Sequence, residues 1–181
     1  MQKISMDDLG RLSPDDFKAA AKLPLIIILD NIRSMHNVGS VFRTADAFLC
    51  EQLMLCGYTP QPPHRDIHKT ALGATETVIW SYFKDTMEAV AGIRAKGYAL
   101  YSVEQAKGSI STEQMQKIDA PGLQNGLALV FGNEVQGVDQ NVIDISDGCL
   151  EIPQFGTKHS LNISVAAGIV IWEASKLLRG V

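Results

Sequence analysis

Cysteine is scarce in this chain: three in 181 residues, at Cys50, Cys56 and Cys149. So few, so scattered, supply neither a disulfide framework nor a zinc site and fit a reducing cytosol; each reads as a small apolar residue in or near a strand. No apolar run is long enough to span a bilayer. The N-terminus, MQKISMDDLGRLSPDD, has no apolar core and is acidic where a secretory leader is basic. Positive charge is not in excess either. The formal net charge is -4, which taken globally argues mildly against nucleic acid, because neutralising phosphates takes clustered Lys and Arg. The GxGxxG fingerprint of dinucleotide-binding folds is missing, as is the lysine motif of a phosphate-binding loop. There is no internal repeat and no low-complexity tract.

What is present is globular. Hydrophobic residues make up 46% and charged residues 20%, and the length suits one domain with a sizeable core. The charge is uneven. Acidic residues crowd the first segment, whereas cationic or potentially cationic groups gather at Arg33, His36 and Arg43, at HRDIHK (His64 to Lys69), and at Lys158 and His159. A fold that joins these groups would carry a local basic face.

The pattern alternates strands with helices. LIIILD (Leu25 to Asp30) has the look of a strand buried on both faces. VGSVFRTADAF follows with helical spacing, then QLMLCG as a second strand, a proline-rich loop PQPPHRD, and TVIWSYF (Thr77 to Phe83) as a third. TMEAVAGIRAKG predicts a helix closed by Gly97. YALYSV, GLALVFG and CLEIP predict three more strands, and LNISVAAGIVIWEASKLLR a long closing helix. This order implies an α/β fold, a parallel sheet covered by helices on both faces. Residues 1–24 read as an N-terminal helical extension (SPDDFKAAAKLP, Ser13 as cap, Pro14 in the first turn) to a domain spanning 25–181.

Ligands in such sheets bind beyond the carboxyl ends of the strands. Three polar, glycine-bearing stretches fall there: DNIRSMHNVGSVFR, GNEVQG (Gly132 to Gly137) and IPQFGTKHSLN. Singly, each has a structural reading. Asn37 and Gly39 open a helix. Arg43, inside an apolar helix, makes a structural ion pair. Gly132 and Gly137 serve a turn. Ser160 caps the last helix, with Asn162 in its first turn. Their convergence is the functional signal.

HNVGSVFRTADAF, LVFGNEVQGV and LEIPQFGTKHSLNISVAAGIVIWEA together resemble the three ordered motifs of the SpoU/TrmH group of SPOUT methyltransferases. The resemblance spans roughly Leu25 to Lys176. It implies S-adenosylmethionine-dependent methylation of RNA ribose 2′-hydroxyls, a C-terminal deep trefoil knot, and a homodimer with the active site near the interface. Nothing in periodicity reveals a knot. The resemblance further implies that backbone groups around Gly132, Ile152 and Leu161 hold the adenosine, with Ser102, Val103 and Glu104 also touching the cofactor. An adenine suits backbone donors between apolar walls, and a glycine at 132 permits close approach. No metal is implied.

By motif position the catalytic set is Asn37, Arg43, Glu134, Ser160 and Asn162. Arg43 matches the residue that activates the hydroxyl. Because arginine stays protonated, it suits stabilising a developing alkoxide and gripping the adjacent phosphate rather than acting as a base. Glu134 is expected to orient Asn37 or Arg43; Ser160 and Asn162 would bond the ribose or the loop. The small residues Ala166, Ala167 and Gly168 suggest close packing of the last helix at a dimer seam. The RNA grip is expected from Arg33, Arg65, Lys69, Lys158 and His159, and the substrate is expected to be tRNA or rRNA. Two other classes remain open: a catalytically silent RNA-binding module on the same fold, and a Rossmann-type enzyme using a nicotinamide cofactor.

Overall fold

The computed structural model describes residues 1–5 and 7–180. At its centre is a seven-stranded sheet in the order β3-β2-β1-β6-β4-β7-β5, with every neighbouring pair parallel. The strands are β1 (Leu23–Asp30), β2 (Cys50–Cys56), β3 (Trp80–Phe83), β4 (Ala99–Val103), β5 (Ile110–Ser111), β6 (Leu127–Phe131) and β7 (Gly148–Glu151). The helices are α1 (Pro14–Ala19), α2 (Met35–Ala47), α3 (Arg65–Ala71), α4 (Ala74–Thr77), α5 (Thr86–Lys96), α6 (Gln140–Ile145) and α7 (Ile163–Arg179).

The unbroken apolar run of β1 follows from its central place. Leu25, Ile27 and Leu29 point to one face, into a core with Val38, Phe42, Ala167 and Ile171 of α2 and α7. Ile26 and Ile28 point to the other, against Val90 and Ile93 of α5 and Val142 of α6. A strand with water on neither side has no use for alternation. Phe17 of α1 lies in the α2/α7 core, and β1 takes in Leu23 and Pro24, while the first helix packs beside α4.

The expected strand Thr77–Phe83 is shorter. Gly73, at φ +90°, turns the chain into α4, which ends at Thr77, and β3 starts only at Trp80. Thr77 Oγ1 bonds Ala74 O and, at 2.5 Å, Asp46 Oδ2, holding it in the helical turn. A seventh strand, the two-residue β5, was too short to leave a pattern. Gly97 closes α5 in the left-handed region as expected, at φ +69°. All three cysteines are buried free thiols; burial pushes Cys50 and Cys56 up to about 12.

Candidate active site

All three polar loops lie at the carboxyl edge of the sheet, and side-chain hydrogen bonds tie them together. Ser34, and not Asn37 or Gly39, caps α2, accepting from the Asn37 amide at 3.3 Å. The side chain of Asn37, only 8% exposed, is thereby released for a longer reach. Its Nδ2 donates to Glu134 Oε1 at 3.1 Å, and its Oδ1 accepts from Asn162 Nδ2 at 3.2 Å. Asn162 Oδ1 in turn accepts from the amide and hydroxyl of Ser164, at 2.9 and 2.7 Å. The direction is forced: a carboxylate can only accept, so each amide along the row must face the way it does.

Glu134 also accepts from the backbone amides of Arg33 (2.9 Å) and Ser34 (3.1 Å), just ahead of α2. A carboxylate at a helix N-terminus is favoured by the unpaired amides and the helix dipole. Burial works to raise the Glu134 carboxyl, but the hydrogen bonds from Arg33, its own amide, Ser34 and Asn37 outweigh it and hold the group below its ordinary value. Glu134 is thus ionised and fully engaged: an orienting group, and a weak base. Of the two partners expected for it, it takes Asn37.

Beside this row opens a cleft of about 590 Å³. Its apolar wall comes from Val103, Phe131, Leu150, Ile152, Leu161 and Ile163; Glu104, Glu134 and Glu151 supply carboxylates. Gly132 lines it, but the structure gives this glycine a different duty. A Cβ there would run into the backbone of Gly137 and Val138, because the chain doubles back at once, Asn133 and Gly137 exchanging backbone hydrogen bonds at 2.9 and 3.0 Å. Glycine at 132 closes this turn while it lines the cleft. Glu104 secures the far side, accepting from the Val138 amide at 3.1 Å, and Gln105 Nε2 donates to His159 O at 2.8 Å, pinning the third loop across the cleft.

Of the residues expected to meet a cofactor, Val103, Glu104, Gly132, Ile152 and Leu161 line the cleft, and Ser102 does not. Strand parity explains it. Ser102 shares the α5/α6 face of β4 with Leu100, is fully buried, and pairs its hydroxyl with Ser146 Oγ at 2.8 Å. Of the expected catalytic set, Glu134, Ser160 and Asn162 line the cleft and Asn37 stands behind its rim. Asn162, not Ser160, caps α7; Ser160 lies exposed on the preceding loop.

Arg43 is the outlier. Six residues beyond Asn37, it lies about 240° further round the helix. It is exposed and takes part in none of the ion pairs among the described residues, which give the structural ion-pair reading no partner. The expected RNA-contacting residues are all exposed. Arg65 and Lys69 sit on α3, which packs on α2, Thr70 Oγ1 donating to His36 O at 3.0 Å; Gly39 permits this approach, since a Cβ there would strike Thr70 and Ile67. Arg33 precedes α2, Lys158 is on the third loop, and His159 also lines the cleft.

Sequence reasoning missed Asn133. Its Oδ1 accepts from Val135 and Gln136 amides at 2.8 and 3.1 Å, and its Nδ2 donates to Asn31 O at 2.8 Å, so it shapes the turn that presents Glu134. The signal was there, an asparagine before the glutamate of GNEVQG, but it was indistinguishable from an ordinary loop residue. Ser34 and Gln105 were missed as well. Among the described residues no group of three or more His, Cys, Asp or Glu side chains is arranged to hold a metal ion.

A parallel sheet flanked by helices, with a cleft built from loops at its carboxyl edge, defines an α/β ligand-binding protein of the open-sheet class. Within that class, residues 24–172 match the model of the SpoU rRNA Methylase family, and the chain belongs to it. It is 28% identical over 153 residues to the tRNA (guanosine(18)-2′-O)-methyltransferase of Aquifex aeolicus, covering 84% of this chain and 69% of that protein. It is 29% identical over 160 residues to the 23S rRNA (guanosine-2′-O-)-methyltransferase RlmB of Vibrio parahaemolyticus, covering 88% of this chain and 62% of that one. Among solved structures, an AdoMet-bound rRNA methyltransferase from Sinorhizobium meliloti superposes with a TM-score of 0.76 at 26% identity, over 92% of this chain and 61% of that one.

Proposed function

We propose that the chain transfers a methyl group from S-adenosylmethionine to a ribose 2′-hydroxyl of tRNA or rRNA. The observation that carries this reading is the row Glu134–Asn37–Asn162, which joins all three loops at the rim of the cleft. The relatives named for 2′-O-methylation of tRNA and rRNA, and the AdoMet-bound neighbour, support it.

The cleft fits the donor. Its volume is within the ordinary range for small-molecule sites, its apolar wall suits an adenine, and its three carboxylates suit a cationic ligand. When bound, S-adenosylmethionine supplies an electrophilic methyl. The work of the chain is then to place the ribose hydroxyl in line and stabilise it as its proton leaves. Ser160 and Asn162, on the cleft wall, are placed to hold the ribose, with Asn162 fixed by Asn37 and Asn37 by Glu134. Arg43 stabilises alkoxide character and grips the neighbouring phosphate; the proton passes to a phosphate oxygen or to water.

Arg43 does this from a neighbouring subunit, because it does not face its own cleft. α7 exposes Val165, Ile169 and Trp172 in one stripe, and Trp172, 52% exposed, packs on Phe48 at the end of α2 with ring centroids 5.8 Å apart. This stripe is the seam of a homodimer. Of the small residues, Ala167 is in the core and Ala166 lines the cleft, whereas Gly168 is half-buried beside the stripe with open space over it. The segment 152–162 forms the proposed trefoil knot. β7 lies outside β4, whereas α7 packs on α2 and β1, so this segment must cross the ends of the intervening strands. No described helix is long and apolar enough to cross a membrane; with an RNA substrate, the cytoplasm is the proposed compartment.

The test is incubation with labelled donor and total RNA. A methyl on the 2′-oxygen removes the nucleophile of alkaline cleavage, so the product should lack one rung of an alkaline ladder. An intact ladder, with label on a free base after acid hydrolysis, would sink the ribose assignment.

A further inference from the structure

Tyr58 lies two residues beyond the end of β2 and is 59% exposed. A lone exposed tyrosine is ordinary; this one is fixed at both ends. Its amide donates to Asn31 Oδ1 at 3.2 Å, and its phenol oxygen accepts from Asn133 Nδ2 at 2.9 Å. Asn133 is the residue that shapes the turn presenting Glu134, so the ring is anchored one residue from the hydrogen-bonded row at the cleft rim.

The support under Tyr58 is unusually constrained. Asn31 lies in the left-handed region at φ +56°, which asparagine enters more readily than other side-chain-bearing residues, so the chain turns here at little cost. Gly57, at φ +63°, approaches so closely that a Cβ would strike Asn31 Oδ1. On the other side Thr59 is buried, donating to Leu29 O and accepting from the Ile32 amide, both at 3.0 Å. Tyr82, 41% exposed, donates its hydroxyl to Gly57 O at 2.8 Å. These hydrogen bonds brace the turn, and it holds an aromatic ring out to solvent.

A polar depression of about 320 Å³ lies beside this support, lined by Asp30, Asn31, Asn133 and Gln136 among others. It adjoins the large cleft, since Asn133, Gln136 and Gly137 line both. Arg33, whose amide binds Glu134, is exposed on the same rim. An exposed ring braced at both ends beside a polar hollow is what an unpaired base requires: a π-face to stack on, with little side-chain entropy to lose.

We propose that Tyr58 is the stacking platform for an unpaired nucleobase of the RNA substrate, the neighbour of the nucleotide whose ribose enters the cleft. The proposal rests on the RNA-methylating reading above. The target is therefore single-stranded at that step, a loop or bulge, because a base within a helix has no free face to offer.

The probe is a set of short single-stranded RNA oligonucleotides carrying 2-aminopurine at successive positions, whose fluorescence falls on stacking against an aromatic ring. Wild-type protein should quench the probe; Tyr58→Ala should abolish the quench, weaken binding about tenfold, and leave S-adenosylmethionine affinity unchanged. Tyr58→Phe, which keeps the ring and loses only the Asn133 bond, should stay close to wild type. An unchanged quench in Tyr58→Ala would overturn the platform. So would a parallel loss of donor affinity, which would make Tyr58 a support of the turn alone. If the wild-type protein binds the donor but neither binds nor methylates any RNA, the underlying reading fails and takes the platform with it.

Discussion

Glu134 Oε1 accepts a hydrogen bond from Asn37 Nδ2 at 3.1 Å, across 97 residues of sequence. The contact is one step in a row in which every polar atom has a single permitted role, so a change at either end is felt at the other.

Glu134 makes stability depend on pH with a definite sign. Its folded-state value is held below its ordinary one, chiefly by hydrogen bonds that overcome burial. At pH values between the two, the unfolded chain binds the extra proton. The contribution is therefore fully present above the ordinary carboxyl range and is lost as pH falls through the depressed value. Thermal melts from neutral pH into acid should show Glu134→Gln losing more stability at neutral pH than in acid. An equal difference at all pH values would mean that the carboxylate charge is not what holds the loops.

Asn162→Ala removes the cap of α7 and the tie to Asn37 together. A cap alone is worth ~1 kcal/mol. Turnover should fall further than this stability loss predicts, because Asn37 loses a partner at the rim. Steady-state kinetics on folded protein, beside a urea titration, would separate the two effects; a loss of stability with full turnover would leave Asn162 as a cap only.

Gly132→Ala forces a methyl into the backbone of Gly137 and Val138. Overpacking of this kind costs ~1–3 kcal/mol. Calorimetry should find donor affinity reduced along with stability, since the same turn walls the cleft. A variant of normal stability that has lost only donor binding would show that a close-approaching ligand, rather than the turn, requires the glycine.

Arg43→Ala should melt like the wild type, because the side chain is exposed and outside the ion pairs described. It should keep donor affinity and lose about a hundredfold or more in turnover, the scale of removing a donor to a developing oxyanion. Arg43→Lys should also be poor, since an ammonium cannot reproduce the planar fork. Methyl transfer at the wild-type rate by Arg43→Ala would remove it from the chemistry.

Trp172→Glu places a charge in the exposed stripe of α7. Light scattering should find the wild type dimeric and the variant monomeric, with activity lost alongside. Mixing Arg43→Ala with Asn162→Ala protein, each impaired alone, should restore part of the activity if Arg43 serves its neighbour's cleft. No recovery on exchange of subunits would return Arg43 to its own chain.

What the sequence revealed, and what it hid, follows from the range of the forces involved. β1 was legible because burial on both faces leaves an uninterrupted apolar run, and α5 because its glycine stop is local. Thr77–Phe83 misled because Val78, Ile79 and Trp80 are apolar in either conformation, and only Asp46, 31 residues away, holds Thr77 in a helix. Ser160 and Asn162 are both good caps two residues apart, and the bond to Asn37 settles on Asn162. Strand parity turns Ser102 away from the cleft, which a linear motif does not show. Arg43 was grouped with Asn37 because motifs are read along a line, whereas a helix distributes neighbours round a circle. The motifs themselves were legible through a family resemblance; their hydrogen bonds, spanning 97 and 125 residues, leave no periodic trace.

The bond from Asn162 to Asn37 also sets a timetable. Chains emerge from the ribosome with the N-terminal part first, so α2 and Glu134 are in place before the cap of α7 has been made. Until that cap arrives, Asn37 Oδ1 lacks its partner and the cleft lacks a wall. The cleft is therefore incomplete on a half-made chain, and the docking of the closing helix completes its wall and its hydrogen-bonded row together.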